Sequence, residues 1–102
     1  MKGAFMSIVI IGGHDRMHCQ YKDICKEYNC RAKVFTQPVG NLESQIGAPD
    51  LIVLFTNPVC HKMIKIAKKH SKRMDIAMVQ SHCGSGSSLR NILTDICQSA
   101  NS

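Results

Sequence analysis

The chain has 102 residues, 44% of them hydrophobic and 20% charged, with a formal charge of +6 and six cysteines. That length holds one core but not two, and the composition is globular rather than disordered. No apolar run reaches the roughly 18–20 residues that cross a bilayer, and no signal-peptide segment opens the chain. The expectation is therefore a cytoplasmic chain of one domain, residues 1–102, with no membrane partner. A reducing compartment turns Cys19, Cys25, Cys30, Cys60, Cys83 and Cys97 toward free thiols, metal ligands or redox chemistry rather than a disulfide framework. They form no CxxC pair and no CxxCH. Zinc-ribbon, thioredoxin-type and covalent-haem signatures are thus absent.

The first element is residues 7–11, Ser-Ile-Val-Ile-Ile, a continuous branched apolar run that ends in Gly12-Gly13. It reads as a strand buried on both faces. Across 15–28 the period changes: Met17, Tyr21, Ile24, Cys25 and Tyr28 recur at helical steps, and Asn29 is a C-cap candidate. Residues 32–35 form a second strand, Pro38 and Gly40 mark a loop, and 42–46 make a short helix or turn. Residues 50–55 are a third strand. Asn57-Pro58 then supplies an N-cap and a first-turn Pro for a helix running to about His70. A fourth strand over 75–79 and a closing helix over 89–97 complete the pattern. Alternation of this kind gives an α/β fold, a small Rossmann-like or flavodoxin-like three-layer unit. Its sheet would have four parallel strands in the order 2-1-3-4.

In such sheets ligands sit beyond the carboxyl ends of the strands, near the point where strand order reverses. His14, Arg16, His18 and Cys19 follow the first strand, Cys60 and His61 the third, and His82 and Cys83 the fourth. Most of the histidines and half of the cysteines therefore belong to one edge. Imidazole and thiolate together suit iron or zinc. The first expectation is a metal-binding sensor, carrier or small redox module. His14 and His61 are the preferred ligands, then His82, with Cys60 or Cys83 as thiolates and His18 and Cys19 as further candidates. His14 and His18 would share a helix face if the helix starts by Asp15. Haem-iron is possible, but a chain this small would need a homodimer interface to enclose it.

The stretch "VQSHCGSGSSLRN" supports a second reading. Ser85, Gly86, Ser87 and Ser88 open a helix whose amides face an anion, and Arg16 and Arg90 could add charge, making a phosphate- or nucleotide-type module. A third reading takes Cys83 as the nucleophile of a cysteine-dependent enzyme, because a helix N-terminus lowers a thiol pKa. Six residues separate Cys83 from Arg90, one more than in the loop of cysteine phosphatases. No acidic ribose partner follows the second strand, which argues against dinucleotide binding.

Outside this edge, Cys25, Cys30 and Cys97 fall at core positions. His70 falls at a basic helix end and is expected to be solvated. Lys62, Lys65, Lys68, Lys69, Lys72 and Arg73 make one helix strongly basic. The five aromatics, two Tyr and three Phe, form no stacking platform, so nucleic acid is not the expected partner. The expected ligand is a metal or a small molecule.

The stretches "IVIIGGHDRM", "QYKDICKEYNCRAKVFTQ", "DLIVLFTNPVCHKMIKIAKK" and "SLRNIL" resemble a family of small bacterial proteins known as domain of unknown function 2325. The likeness covers about residues 7–97. It rests on the glycine pair Gly12-Gly13, on His61 and on the Ser-rich loop from Ser85 to Ser88. The resemblance implies an α/β fold and supplies no settled activity. Cys19, Cys60 and Cys83 depart from the commoner pattern, which makes the histidines the more general feature.

Overall fold

The computed structural model describes residues 6–57 and 61–101, with side chains described as far as residue 96. Strand β1 (Met6–Ile11) leads through a 3₁₀ turn (Asp15–Met17) into helix α1 (His18–Glu27). Then follow β2 (Cys30–Phe35), α2 (Leu42–Ile46), β3 (Leu51–Phe55), α3 (His61–Met74), β4 (Ala77–Ser81) and α4 (Gly86–Asn101). The four strands pair in parallel in the order β2-β1-β3-β4, as the alternation predicts. The chain leaves β1 outward to β2 and returns to β3, so strand order reverses between β1 and β3.

Sequence periodicity explains the layering. β1 and β3 lie inside the sheet and bury both faces, which is why they are unbroken apolar runs. Ile8, Ile10, Val53 and Phe55 pack with Tyr21 and Ile24 of α1 and Leu89 and Leu93 of α4. The alternate residues Val9, Ile11, Ile52 and Leu54 pack on the other face with Leu42 and Ile46 of α2 and Met63 and Ala67 of α3. The result is three layers, helix, sheet and helix. Cys25 and Cys30 are buried in the first core, as their positions predict. The Cys97 side chain lies outside the described residues.

Several boundaries move for local reasons. α3 continues past His70 to Met74, and Asp75 ends it with φ +54. The Ile76 amide donates to Ser71 O and the Ser71 hydroxyl to Ile76 O, so β4 starts at Ala77 rather than at 75. α4 begins at Gly86, three residues before the apolar period at Leu89, because Ser85 caps it. Asn29 closes α1 at φ +58, the role its sequence position suggests.

His70 corrects a sequence expectation. It is not solvated but buried, at 4% exposure. Met63, Ala67 and His70 form one buried stripe of α3 at spacings of four and three, and the imidazole Nε2 meets the Gly47 carbonyl. The helix period, which placed Met63 and Ala67 correctly, also carries His70 inward; the neighbouring lysines masked it.

Candidate functional site

At the carboxyl edge, the loops after β1 and β4 meet over the start of α4. They enclose a cavity of about 430 Å³ bordered by His14, Arg16, Met17, Asn57 and residues 82–86. Among the described residues, no carboxylate borders it. One guanidinium, two imidazoles and a thiol do.

Glycine and a tyrosine bring the two loops together. Gly12 and Gly13 turn the chain off β1 at φ +94 and +85, backbone that other residues rarely adopt. A Cβ on Gly13 would collide with the Tyr21 hydroxyl, and one on Gly84 would stand 3.0 Å from both that hydroxyl and Gly13 Cα. Tyr21 is fully buried between the loops, donates its hydroxyl proton to the Gly84 carbonyl and leans on Phe55, with ring centroids 5.4 Å apart. Burial pushes its phenol pKa up. The His14 backbone amide acts in the opposite direction, and negative charge on Cys83 adds to the rise. Tyr21 thus touches both walls of the cavity from below.

The floor is the first turn of α4. The Ser88 amide donates to Ser85 Oγ at 3.2 Å, the Leu89 amide to Ser85 O at 3.2 Å, and the two serine hydroxyls meet at 3.0 Å. The Gly86 and Ser87 amides have no acceptor within the helix and are left for other acceptors. Cys83 is exposed beside this turn. The Ser85 hydroxyl, then the Ser85 amide and more weakly the Ser88 hydroxyl hold its thiol below the usual range. These donors favour the ionised form of the thiol. Asn57 Nδ2 lies 3.5 Å from His82 Nε2 and links the loop after β3 to the one after β4.

The candidate residues therefore divide. His14, His82, Cys83, Arg16, Ser85 and Gly86 border one cavity, and Ser88 braces its floor. His61 opens α3 in the loop region after β3 and is exposed, but it does not border the cavity. His14 and His18 do not share a helix face. His14 is extended (φ −86, ψ 137) and a 3₁₀ turn separates it from α1, because the chain is still leaving the glycine turn. His18 and Cys19 lie on the first turn of α1, away from the cavity. Cys60 lies outside the described residues. Among the described residues, no three His, Cys, Asp or Glu side chains are gathered closely enough to hold a metal ion. Arg90 turns away from Cys83 to pair with Glu27 at 2.8 Å, and with Ser87 it borders a neighbouring depression. Arg16 supplies the cavity's guanidinium instead.

Two contributors escape sequence reasoning. Tyr21 is indistinguishable by period from any other core residue of α1. Asn57 reads as a helix cap, and only its place directly after β3 hints at a role in the cavity.

A family model described as an uncharacterized protein conserved in bacteria, DUF2325, matches residues 7–96. The chain belongs to DUF2325. No curated protein matches this DUF2325 chain. Its fold is shared by a de novo designed Rossmann 2x2 protein solved by solution NMR, with a TM-score of 0.64 and 11% identity over 97% of this chain and 93% of that one. It is also similar to the lactose-specific IIB component domain of the phosphoenolpyruvate:carbohydrate phosphotransferase system from Streptococcus pneumoniae. There the TM-score is 0.61, with 16% identity over 93% of this chain and 97% of that one. At these identities the likeness is one of fold. Among the described residues of this DUF2325 chain, no helix is long and apolar enough to cross a membrane.

Proposed function

We propose that this DUF2325 chain binds a small phosphate-type anion in the cavity between Gly13 and Gly86. The observation that carries this reading is the wall chemistry: Arg16, two histidines, hydroxyl and amide donors, and no carboxylate. A helix of sixteen residues adds its positive end at the floor. Charge, dipole and free amides all favour the same sign. A phosphate would take the Gly86 and Ser87 amides, and Arg16 would close over it.

The cavity also supports a second reading, in which Cys83 is a nucleophile. Its thiol is held below the usual range by Ser85 and Ser88, on the same turn as the amides that would hold the anion, and it is open to solvent. A bound electrophile of anionic character would be presented to the sulfur by the same turn. The metal reading has less support. His14, His82 and Cys83 share the cavity wall, but an iron or zinc ion would have to draw them together from where they stand. Haem would demand still more, through a dimer.

Titration with inorganic phosphate, sulfate and zinc, followed by backbone amide NMR, tests the choice. The anion reading expects phosphate to move the Ser85, Gly86 and Ser87 amides, and expects Arg16→Gln to weaken that response. His61→Ala, which does not border the cavity, should leave it unchanged. Saturable zinc binding that moves His14, His82 and Cys83 while phosphate moves nothing would replace this reading with the metal one.

A further inference from the structure

The two edges of the sheet are defended differently. β2 carries Arg31 and Lys33 on the strand itself, the usual device against unwanted strand pairing. β4, Ala-Met-Val-Gln-Ser, has no charge and no proline. Its pairing to β3 fixes which main-chain groups remain open. The Thr56 amide donates to Ser81 O at 2.8 Å, so Ser81 faces β3. By the two-residue alternation of a strand, Ala77 and Val79 face β3 as well, and the N–H and C=O groups of Met78 and Gln80 point to the open edge.

Beside this edge runs a groove of about 410 Å³ between β4 and α3. It is bordered by Lys68, Lys69, Ser71, Lys72, Met78 and Gln80, with no carboxylate among the described residues. The lysines are on the helix and not on the strand. They therefore leave the ladder of Met78 and Gln80 unobstructed while making its surroundings positive.

We propose that the β4 edge takes an extended acidic peptide segment as a fifth strand. The added chain would exchange hydrogen bonds with Met78 and Gln80. Its acidic side chains, at alternate positions on the α3 side, would meet Lys68, Lys69 and Lys72. A second copy of this chain fits poorly, because pairing β4 with β4 brings two lysine rows together. Single-stranded nucleic acid fits the charge, but the groove has no aromatic ring on which a base could stack and offers a peptide ladder. This surface is separate from the anion cavity, and neither depends on the other.

The test uses the full chain and a heptapeptide alternating Glu with Thr, compared with the same peptide N-methylated on the amides that would join the ladder. The unmodified peptide should bind, move the Met78 and Gln80 amide resonances and slow their hydrogen exchange, and the N-methylated one should not. Lys68→Gln with Lys72→Gln removes two exposed ion pairs and should weaken binding about tenfold. Both changes are at exposed positions and leave the core intact. Equal binding of the two peptides would mean that charge alone holds them and would overturn the fifth strand. So would tighter binding of oligothymidine at the same residues, or self-association that protects Met78 and Gln80 without any peptide.

Discussion

Cys25 and Cys83 are the same side chain in opposite surroundings. Cys25 sits on the buried face of α1, fully buried, where burial first and the nearby Cys30 second push its thiol up to about 12. Cys83 stands at the rim of the cavity, exposed, with the Ser85 hydroxyl and amide drawing its thiol down. The core favours the neutral form because it has no donors to offer a charge; the turn before α4 favours the anion because donors are what it has in excess. At its carboxyl edge this small fold gathers a guanidinium, two imidazoles and the first turn of α4 around one cavity.

The largest expected effect is in thiol reactivity. At pH 8 a thiol held near 12 is ionised to roughly one part in ten thousand, far less than one held below the usual thiol range. In a Cys19→Ser background, iodoacetamide should modify Cys83 faster than Cys25 by about a thousandfold or more, read by peptide mass spectrometry. Comparable rates would erase the contrast. A smaller effect is expected where the two regions join. Tyr21→Phe leaves the buried Gly84 carbonyl without its donor and should cost about 1–3 kcal/mol in denaturant unfolding. An unchanged midpoint would mean that Tyr21 packs without holding the loop. The smallest effect belongs to Ser85→Ala. Removing the leading donor should raise the Cys83 pKa, so the midpoint of its alkylation-against-pH curve moves upward. Loss of the cap should cost about 1 kcal/mol. A midpoint that stays put or falls would remove Ser85 as the cause.

The fold was legible because its signals are long. Branched runs of β1 and β3, the helical period of α1 and the alternation of elements fix the sheet order together. The carboxyl edge was legible too, since a parallel α/β sheet sends every strand end to one side. What the sequence hides is side-chain direction after each turn. His14, His61 and His18 all follow strands, yet only His14 reaches the cavity, because the glycine turn holds it extended over the α4 start. Arg90 follows the Ser-rich loop closely enough to be an anion-binding candidate, and Glu27 of α1 claims it. His70 reads as one more member of a basic run, although its period of four and three with Ala67 and Met63 carried the contrary signal. Tyr21 had no signal at all beyond being apolar at the right step.

The central claim is that the Cys83 thiolate and a phosphate-type anion draw on the same turn. Protection of Cys83 tests it directly. Alkylation of the full chain is followed at fixed pH and ionic strength while inorganic phosphate replaces chloride. The account predicts that Cys83 modification slows in a saturable way as phosphate rises, that Cys19 modification does not change, and that Arg16→Gln shifts the protection to higher phosphate. A Cys83 rate indifferent to phosphate, with the protein folded throughout, would contradict it.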